Sequence, residues 1–223
     1  MASDTPTRRP GSAAGYHHGD LPNTLRNAAS ELIAERGVAG FSLREVARRA
    51  GVSHAAPAHH FGDAQGLLTA VAIEAFQYLT AESQAASAGV EDPVEALVQL
   101  GRAYVTVSVE HPGHCAIAFR EDAVDAADPA YYEAGQRAFG VLVGAVRRLA
   151  EEQAPGLDVE LASALCWSAV QGLATVYAPL QSMAQRQGRT APPVADLADQ
   201  FTRLLVSGLV GRGDRQGRPR PRT

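Results

Sequence analysis

Between Leu21 and Leu209, apolar residues recur every three or four positions in segment after segment, as they do along one face of an α-helix. A valine-rich stretch at 103–109 alternates weakly, but it lies inside a longer helical period. No other segment shows the alternation of a β-strand. The spacing therefore predicts an all-α fold of about nine helices.

Start and stop signals divide this region into separate helices. Asp92 and Asp128 each precede a proline, which is the pattern of an N-cap followed by the first helical residue. Asp63 is expected to cap a long helix, and Pro192-Pro193 opens the last one. The stop signals are His111-Pro112-Gly113 and Ala154-Pro155-Gly156.

Residues 42–61 predict two short helices joined by a tight turn. Ser42 and Glu45 form a capping-box pattern, so one helix should begin at residue 43. Gly51 ends it and supplies the backbone freedom of the turn. Ser53 is expected to cap a short helix over 54–60, in which Pro57 would cost one hydrogen bond. This is the geometry of a helix-turn-helix, although a hairpin inside a helical bundle has the same spacing.

In a helix-turn-helix, the start of the second helix enters the major groove of DNA. Ser53 begins that helix, and His59 and His60 should lie nearer the phosphate backbone. The residues expected nearest the bases are His54, Ala55 and Ala56.

Residues 16–76 strongly resemble the DNA-binding head of the TetR (tetracycline-repressor-like) family. The matching residues are Phe41-Ser42-Leu43-Arg44-Glu45-Val46-Ala47, Ala50-Gly51-Val52-Ser53, His60-Phe61 and Leu67. The resemblance implies that Arg44 contacts a base or a phosphate, with Ser42 in the same interface. It also implies that the exposed face of 54–60 reads the groove.

Two further segments are similar to one branch of that family, whose C-terminal domain is named for a Trp-His-Gly pattern. Tyr16-His17-His18-Gly19 precedes the first helix, and residues 167–174 resemble the pattern itself, with Trp167 and Gly172 present. Gln171 stands where the branch carries histidine.

Three departures from the family concern phosphate contacts. Ala58 replaces a tyrosine, His59 stands where the branch often has arginine, and Ala64 replaces a lysine. Losing such contacts lowers affinity for every DNA sequence alike. Because histidine becomes cationic on acidification, affinity should also rise as the pH falls. A relative that binds ligand or protein with weakened or lost DNA binding is therefore the alternative function.

The resemblance implies a ligand-responsive transcriptional regulator, a repressor released from a palindromic double-stranded operator by a small molecule. The predicted organisation is a flexible arm (1–19), a DNA-binding domain (20–66), a ligand-binding and dimerisation domain (67–211) and a disordered basic tail (212–223). No cofactor is implied. The absence of a signal peptide or an uninterrupted apolar span, together with two cysteines, indicates a cytoplasmic protein without a membrane segment.

The distribution of charge agrees with this division. Residues 1–62 carry seven arginines against five acids and five of the seven histidines, whereas residues 63–211 carry eight arginines against eighteen acids. The tail has five arginines against one aspartate. A basic head on an acidic body is typical of a DNA-reading module attached to a domain that does not touch DNA.

The last two helices, roughly 158–183 and 193–211, are the predicted homodimer interface. The first is apolar nearly all round, which indicates burial on two sides. A central helix of a monomeric bundle would show the same pattern. By the resemblance, the two pairs of helices form a four-helix bundle across a two-fold axis.

A ligand pocket requires apolar walls with a few polar groups, and the scarce aromatic residues of the body supply both. Trp167 and Gln171 share a helical face because they are four residues apart. Each candidate could equally be ordinary core. The candidates are Tyr104, Phe119, Tyr132, Phe139, Trp167, Gln171 and Tyr177, with Tyr131 in the wider set.

Other chemistries have weaker support. His111, His114 and Cys115 are zinc-binding residue types, but no fourth ligand is evident, and a linking loop is the simpler interpretation. Cys115 and Cys166 could form a redox switch. Because no phosphate loop, serine elbow or HExxH motif is present, we expect no enzyme, and a zinc hydrolase is the residual alternative.

Overall fold

A computed structural model describes residues 20–216, with side chains through Gly211. Within this range the chain forms nine α-helices and a 3₁₀ turn at Val38–Gly40, without strands, which confirms the all-α prediction. The helices are α1 (Leu21–Arg36), α2 (Leu43–Arg49), α3 (Ala56–Phe61), α4 (Ala64–Ser87), α5 (Pro93–Glu110), α6 (Pro112–Ala118), α7 (Pro129–Glu152), α8 (Val159–Arg186) and α9 (Val194–Gln216).

The predicted arm at 1–19 and residues 217–223 of the predicted tail lie outside the described residues. Residues 212–216, which were expected to be disordered, instead continue α9 to Gln216.

The aspartate start signals behave as predicted. The Asp63 carboxylate accepts a hydrogen bond from the Gly66 amide at 2.8 Å, and Asp128 accepts one from Ala130 at 2.7 Å. Asp92 accepts from both Val94 and Glu95 at 3.3 Å. Each carboxylate satisfies amide groups that have no partner inside the helix.

The capping box expected at Ser42 does not form, although α2 begins at Leu43 as predicted. The Ser42 side chain makes no capping hydrogen bond. The Glu45 carboxylate is instead held by the Arg48 guanidinium, through contacts of 2.8 and 2.7 Å. Two parallel hydrogen bonds between ionised groups are stronger than the single bond that a backbone amide would donate to this carboxylate.

Helix α3 begins at Ala56, two residues later than predicted, and Ser53 does not cap it. Pro57 occupies the first turn, where the missing N–H has no helical partner to lose. The expected cost of one hydrogen bond at Pro57 is therefore absent. Residues 53–55 form a turn that leads into the helix, in which the Ala56 amide donates to the Ser53 carbonyl at 3.0 Å.

The segment 111–115, expected as a linking loop, is mostly helix. Pro112 ends α5 and also begins α6, because proline at the first helical position needs no hydrogen-bond donor. This short helix packs against α1 and α4.

The head, defined as residues 20–66, does not have a core of its own. Its fully buried side chains Leu25, Leu32 and Val46 belong to one cluster with Leu67 of α4 and Ile117 of α6. A second cluster joins α5, α7, α8 and α9. The division between residues 66 and 67 falls within the first turn of α4, which therefore belongs to both parts.

Among the described residues, one helix, α8, is long and apolar enough to cross a membrane by those two criteria alone. Only 28% of its most apolar window is buried within the chain.

Candidate functional site

The turn of the predicted helix-turn-helix has the geometry that its residues require. Gly51 has a φ of 68°, a region in which side chains are strained. The Val52 amide donates to the Ala47 carbonyl at 3.0 Å, and Val52 packs against the core. Ala47 is fully buried where the two helices meet. The turn therefore holds α2 and α3 in a fixed relation.

The residues predicted to contact DNA lie at the surface of the head. All are exposed except Ala56, which is half-buried. Ser42 and Arg44 lie at the start of α2, and the others lie on α3 or in the turn before it. These others are Ser53, His54, Ala55, Ala56, His59 and His60. The rings of His59 and His60 are 5.3 Å apart.

Most arginines beside this surface are paired with acids. Glu45 accepts from Arg48 and lies 3.4 Å from Arg49 and 3.6 Å from Arg36. Arg49 also binds Glu35. Within the described residues Arg44 has no ion-pair partner, so its full charge is available to a phosphate or a base.

The same ion pairs lower the pKa of Glu45 in α2. The hydrogen bond from Arg48 lowers the pKa of Glu45 to about 2, against a smaller opposing effect of desolvation. Glu45 therefore stays ionised and continues to neutralise its arginines at any pH at which DNA is bound.

Ala58 and Ala64 are both exposed. Neither position has a side chain that reaches beyond its Cβ atom. A longer side chain at either position would extend into solvent. At both positions we expect a phosphate contact to be lost.

A cavity of about 340 Å³ lies in the body, between α4, α5, α7, α8 and α9 and the segment after α6. Aromatic rings form much of its wall, and Phe119 lies 5.4 Å from Phe76 and 5.2 Å from Trp167, between ring centroids. The described lining residues are Phe76, Leu79, Ser83, Leu97, Leu100, Gly101, Tyr104, Phe119, Glu121, Tyr131, Tyr132, Gly135, Gln136, Ala138, Phe139, Leu142, Cys166, Trp167, Val170, Thr202, Leu205 and Val206.

Five of the seven predicted pocket residues line this cavity, namely Tyr104, Phe119, Tyr132, Phe139 and Trp167. Gln171 lies behind the wall, where its amide oxygen accepts a hydrogen bond from the Tyr104 hydroxyl. Burial raises the pKa of Tyr104 to about 12, so this hydroxyl remains a neutral donor.

Tyr177, in contrast, lies outside the cavity. Its hydroxyl donates to the Pro192 carbonyl at 3.1 Å and accepts from Gln181 at 3.1 Å. It anchors the connection between α8 and α9.

Several lining residues escaped the sequence analysis. Phe76 belongs to the buried apolar face of α4, and small or polar residues such as Gly101, Thr202 and Glu121 gave no signal. Phe76 could have been identified only by knowing that α4 passes from the head to the body.

A buried polar chain links α1 of the head to α4 and α6. Ser30 Oγ lies 2.7 Å from His114 Nδ1, and His114 Nε2 lies 3.2 Å from the Glu74 carboxylate. Arg26 Nε donates to the same carboxylate at 3.2 Å. Burial alone would raise the pKa of Glu74, but the hydrogen bond from His114 and the charge of Arg26 outweigh it and lower that pKa.

The two histidines considered as metal ligands, His111 and His114, both make contacts with other side chains. Both ring nitrogens of His114 are engaged, and the His111 ring stacks on Tyr78 at 4.8 Å. In the part of the chain that the structure describes, no three His, Cys, Asp or Glu residues are grouped as metal ligands. Burial raises the pKa of Cys115 and raises that of Cys166 to about 11, which opposes thiolate chemistry at either residue.

Comparisons with known proteins agree with this architecture. Residues 25–71 match the family model described as bacterial regulatory proteins, tetR family, and residues 97–205 match the tetracyclin repressor-like C-terminal domain. No protein of curated function matches the sequence.

Solved structures extend the likeness to most of the chain. A protein of unknown function from Rhodococcus sp. RHA1 is 30% identical, with a TM-score of 0.72 over 88% of this chain and 99% of its own. PfmR, a TetR family transcriptional regulator from Thermus thermophilus, is 22% identical, with a TM-score of 0.68 over 82% and 94%. FadR from Bacillus subtilis, solved with stearoyl-CoA, is 18% identical, with a TM-score of 0.70 over 83% and 98%.

The last two likenesses concern the fold alone. The two family models account for the helix-turn-helix and for most of the helices that enclose the cavity, and the relative from Rhodococcus covers 88% of the chain. This chain belongs to the TetR family of ligand-responsive, DNA-binding transcriptional regulators.

Proposed function

We propose that this regulator represses transcription by binding a palindromic operator as a homodimer, and that a small molecule in the cavity releases it. The observation that carries the proposal is the course of α4. Leu67 in its first turn is fully buried in the core shared with the head, whereas Phe76, Leu79 and Ser83 farther along line the cavity. A ligand that moves α4 also moves the reading surface.

Two copies are needed because the two half-sites of a palindrome lie about 34–36 Å apart on one face of DNA. A small change in the spacing of two heads disrupts both contacts together. Release on ligand binding therefore requires a rigid interface between the copies.

Exposed apolar side chains on α8 and α9 support the predicted interface. Leu161 is 67% exposed, Met183 is 55% exposed and Leu204 is 75% exposed. An apolar surface of this kind is unfavourable in water unless a partner covers it. We assign this apolar surface to a second copy of the chain. On this assignment α8 is apolar because it forms a dimer interface, and the protein is cytoplasmic. No catalytic residue is part of the proposal.

A relative with weak or absent DNA binding is the second candidate. It is supported by the neutral side chains at Ala58 and Ala64 and by the pairing of Arg48 and Arg49 with acids. Under this alternative the cavity and the dimer persist, whereas operator binding does not.

Footprinting of the purified protein on its own upstream DNA decides between the two candidates. We expect a protected palindrome, and anisotropy with that labelled DNA should show tighter binding at pH 6 than at pH 8. The absence of any protected sequence at low salt favours the second candidate.

The dimer is tested separately by light scattering on the double variant Leu161→Glu, Leu204→Glu. Two buried, unpaired charges should convert the dimer to a monomer and abolish operator binding. Ala81→Glu, at an exposed position of α4, is the control and should remain dimeric. A wild-type protein that is monomeric at micromolar concentration contradicts the proposed interface.

A further inference from the structure

The charge of the cavity wall restricts the ligands that the cavity can hold. Among the described residues of the lining, Glu121 alone carries a charge, and arginine and histidine are absent from it. Glu121 is exposed, so it lies where the cavity opens to solvent. An anionic ligand would meet no cation inside and a carboxylate at the entrance.

Two arginines that are next to lining residues along the chain are already paired with acids and leave the Glu121 carboxylate uncompensated. Arg120 is paired with Asp122 at 2.7 Å, and on α7 Arg137 is paired with Glu133 at 3.5 Å. Glu121 itself has no hydrogen-bond or ion-pair partner in the described residues. Its negative charge is therefore available to a ligand.

The aromatic rings favour the same sign of ligand charge. Tyr132 is 63% exposed and Phe119 and Phe139 are each 36% exposed, so they lie towards the opening, while Phe76 and Trp167 form the wall farther in. The faces of aromatic rings attract cations and repel anions. Polar groups are few, and Glu121 is the acidic residue among them.

We infer that the cavity binds an amphiphilic organic cation, with its apolar body among the aromatic rings and its cationic group at Glu121. This inference rests on the proposed role of the cavity as the ligand site and adds the chemical class of the ligand. An acyl-CoA, the class bound by the FadR relative, carries phosphate groups for which this wall provides no partner.

Trp167 allows a direct test, because it is the only tryptophan of the chain and lines the cavity. The probes are decyltrimethylammonium, decanol and decanoate, which share one alkyl chain and differ in charge. Each is titrated against the intact dimer below its micellar concentration, with Trp167 fluorescence as the readout. We expect the cation to bind about fivefold to tenfold more tightly than decanol, and decanoate to bind least.

Glu121→Gln should remove most of that preference and leave the affinity for decanol unchanged. Glu151→Gln, at an exposed acid of α7 outside the lining, is the matched control and should behave as wild type. Binding of decanoate as tight as or tighter than that of decyltrimethylammonium, or an undiminished preference for the cation in Glu121→Gln, overturns the inference while leaving the cavity a ligand site.

The two proposals fail in different ways. If none of the three probes changes Trp167 fluorescence, the cation inference is wrong, whatever the protein does with DNA. If the cation binds but the footprint shows no operator, the inference stands and the proposed repressor function does not.

Discussion

The head and the body are both built from packed helices, but they use their interiors in opposite ways. In the head, side chains such as Leu25 and Val46 are completely buried, and the candidate DNA-binding groups all lie outside. In the body, the helices surround a cavity of about 340 Å³, and most of the candidate ligand-binding groups line it. Unfilled apolar volume costs stability, so a fold that keeps it gains most when a ligand occupies it.

Two glycines illustrate the difference in packing between the junction of the head with α6 and the wall of the cavity. A Cβ atom at Gly113 in α6 would lie 1.9 Å from the Ser30 carbonyl oxygen of α1. A Cβ atom at Gly135 in the cavity wall would lie 3.5 Å from the Phe76 ring, an ordinary contact. The same substitution should therefore have opposite effects at the two positions.

The largest effect is expected for Gly113→Ala. The close backbone approach between α1 and α6 must open, which should lower the free energy of unfolding by about 2 kcal/mol or more. Chemical denaturation measures the change. Gly140→Ala, where no atom lies within 4 Å of the added Cβ, is the control. A Gly113→Ala variant as stable as that control contradicts the close junction.

Arg44→Ala tests the outer surface of the head. Among the described residues near the turn, Arg44 is the arginine without an acidic partner. Its loss should weaken operator binding about tenfold and reduce the salt slope by about one. Anisotropy at several salt concentrations measures both. Arg102→Ala, at an exposed position of α5, should change neither; equal losses in the two variants indicate a general effect of net charge.

Gly135→Ala is expected to stabilise the body. Alanine is better than glycine inside a helix by about 1 kcal/mol, which corresponds to a rise of roughly 2–4 °C in Tm. The added methyl group also reduces the space for a ligand, so decyltrimethylammonium should bind less tightly in the Trp167 fluorescence titration. A lower Tm shows that the wall beside Phe76 is already close-packed.

Ala64→Lys restores a cation at the start of α4. We expect operator affinity to rise about threefold and the salt slope to steepen by about one, because one more phosphate is neutralised. Ala64→Gln, of similar length without the charge, serves as the comparison. If both variants bind alike, the position does not face the phosphate backbone.

Glu45→Gln should have the smallest effect, confined to acid. The arginines lower the pKa of Glu45 to about 2, so its stabilising contribution is present above its ordinary pKa of 4.5. That contribution is lost as the pH falls from 4.5 towards 2. The variant should show a flatter decline of unfolding free energy over that range. Glu31→Gln, an exposed acid of α1 with no ion pair among the described residues, should keep the wild-type slope.

Local rules explain why the head was largely predictable. Gly51, Asp63 and the apolar residues of α1 act within a few positions of themselves, and the structure places each as the spacing indicates. The errors concern local interactions that replace the predicted ones and that the spacing of residues in the sequence does not reveal. Glu45 binds arginines in preference to completing a cap, and Pro57 lies in the first turn of a helix that begins at Ala56, two residues later than expected.

The cavity was predictable only in its residue types. Tyr131 and Tyr177 are both buried tyrosines on helices of the body, yet only Tyr131 lines the cavity. Which tyrosine lines the cavity depends on how the neighbouring helices pack. No sequence pattern within α7 or α8 specifies that packing.

The amino-acid sequence by itself determined most of the helices of the described chain and the turn at Gly51, because these follow from contacts between residues close along the chain. Only the tertiary structure decided where the helices of the body leave space and that Glu121 is the charged residue of the described lining. It also joined Ser30, His114 and Glu74 across three helices. Such arrangements arise from packing between distant segments, whose relative positions no local spacing encodes.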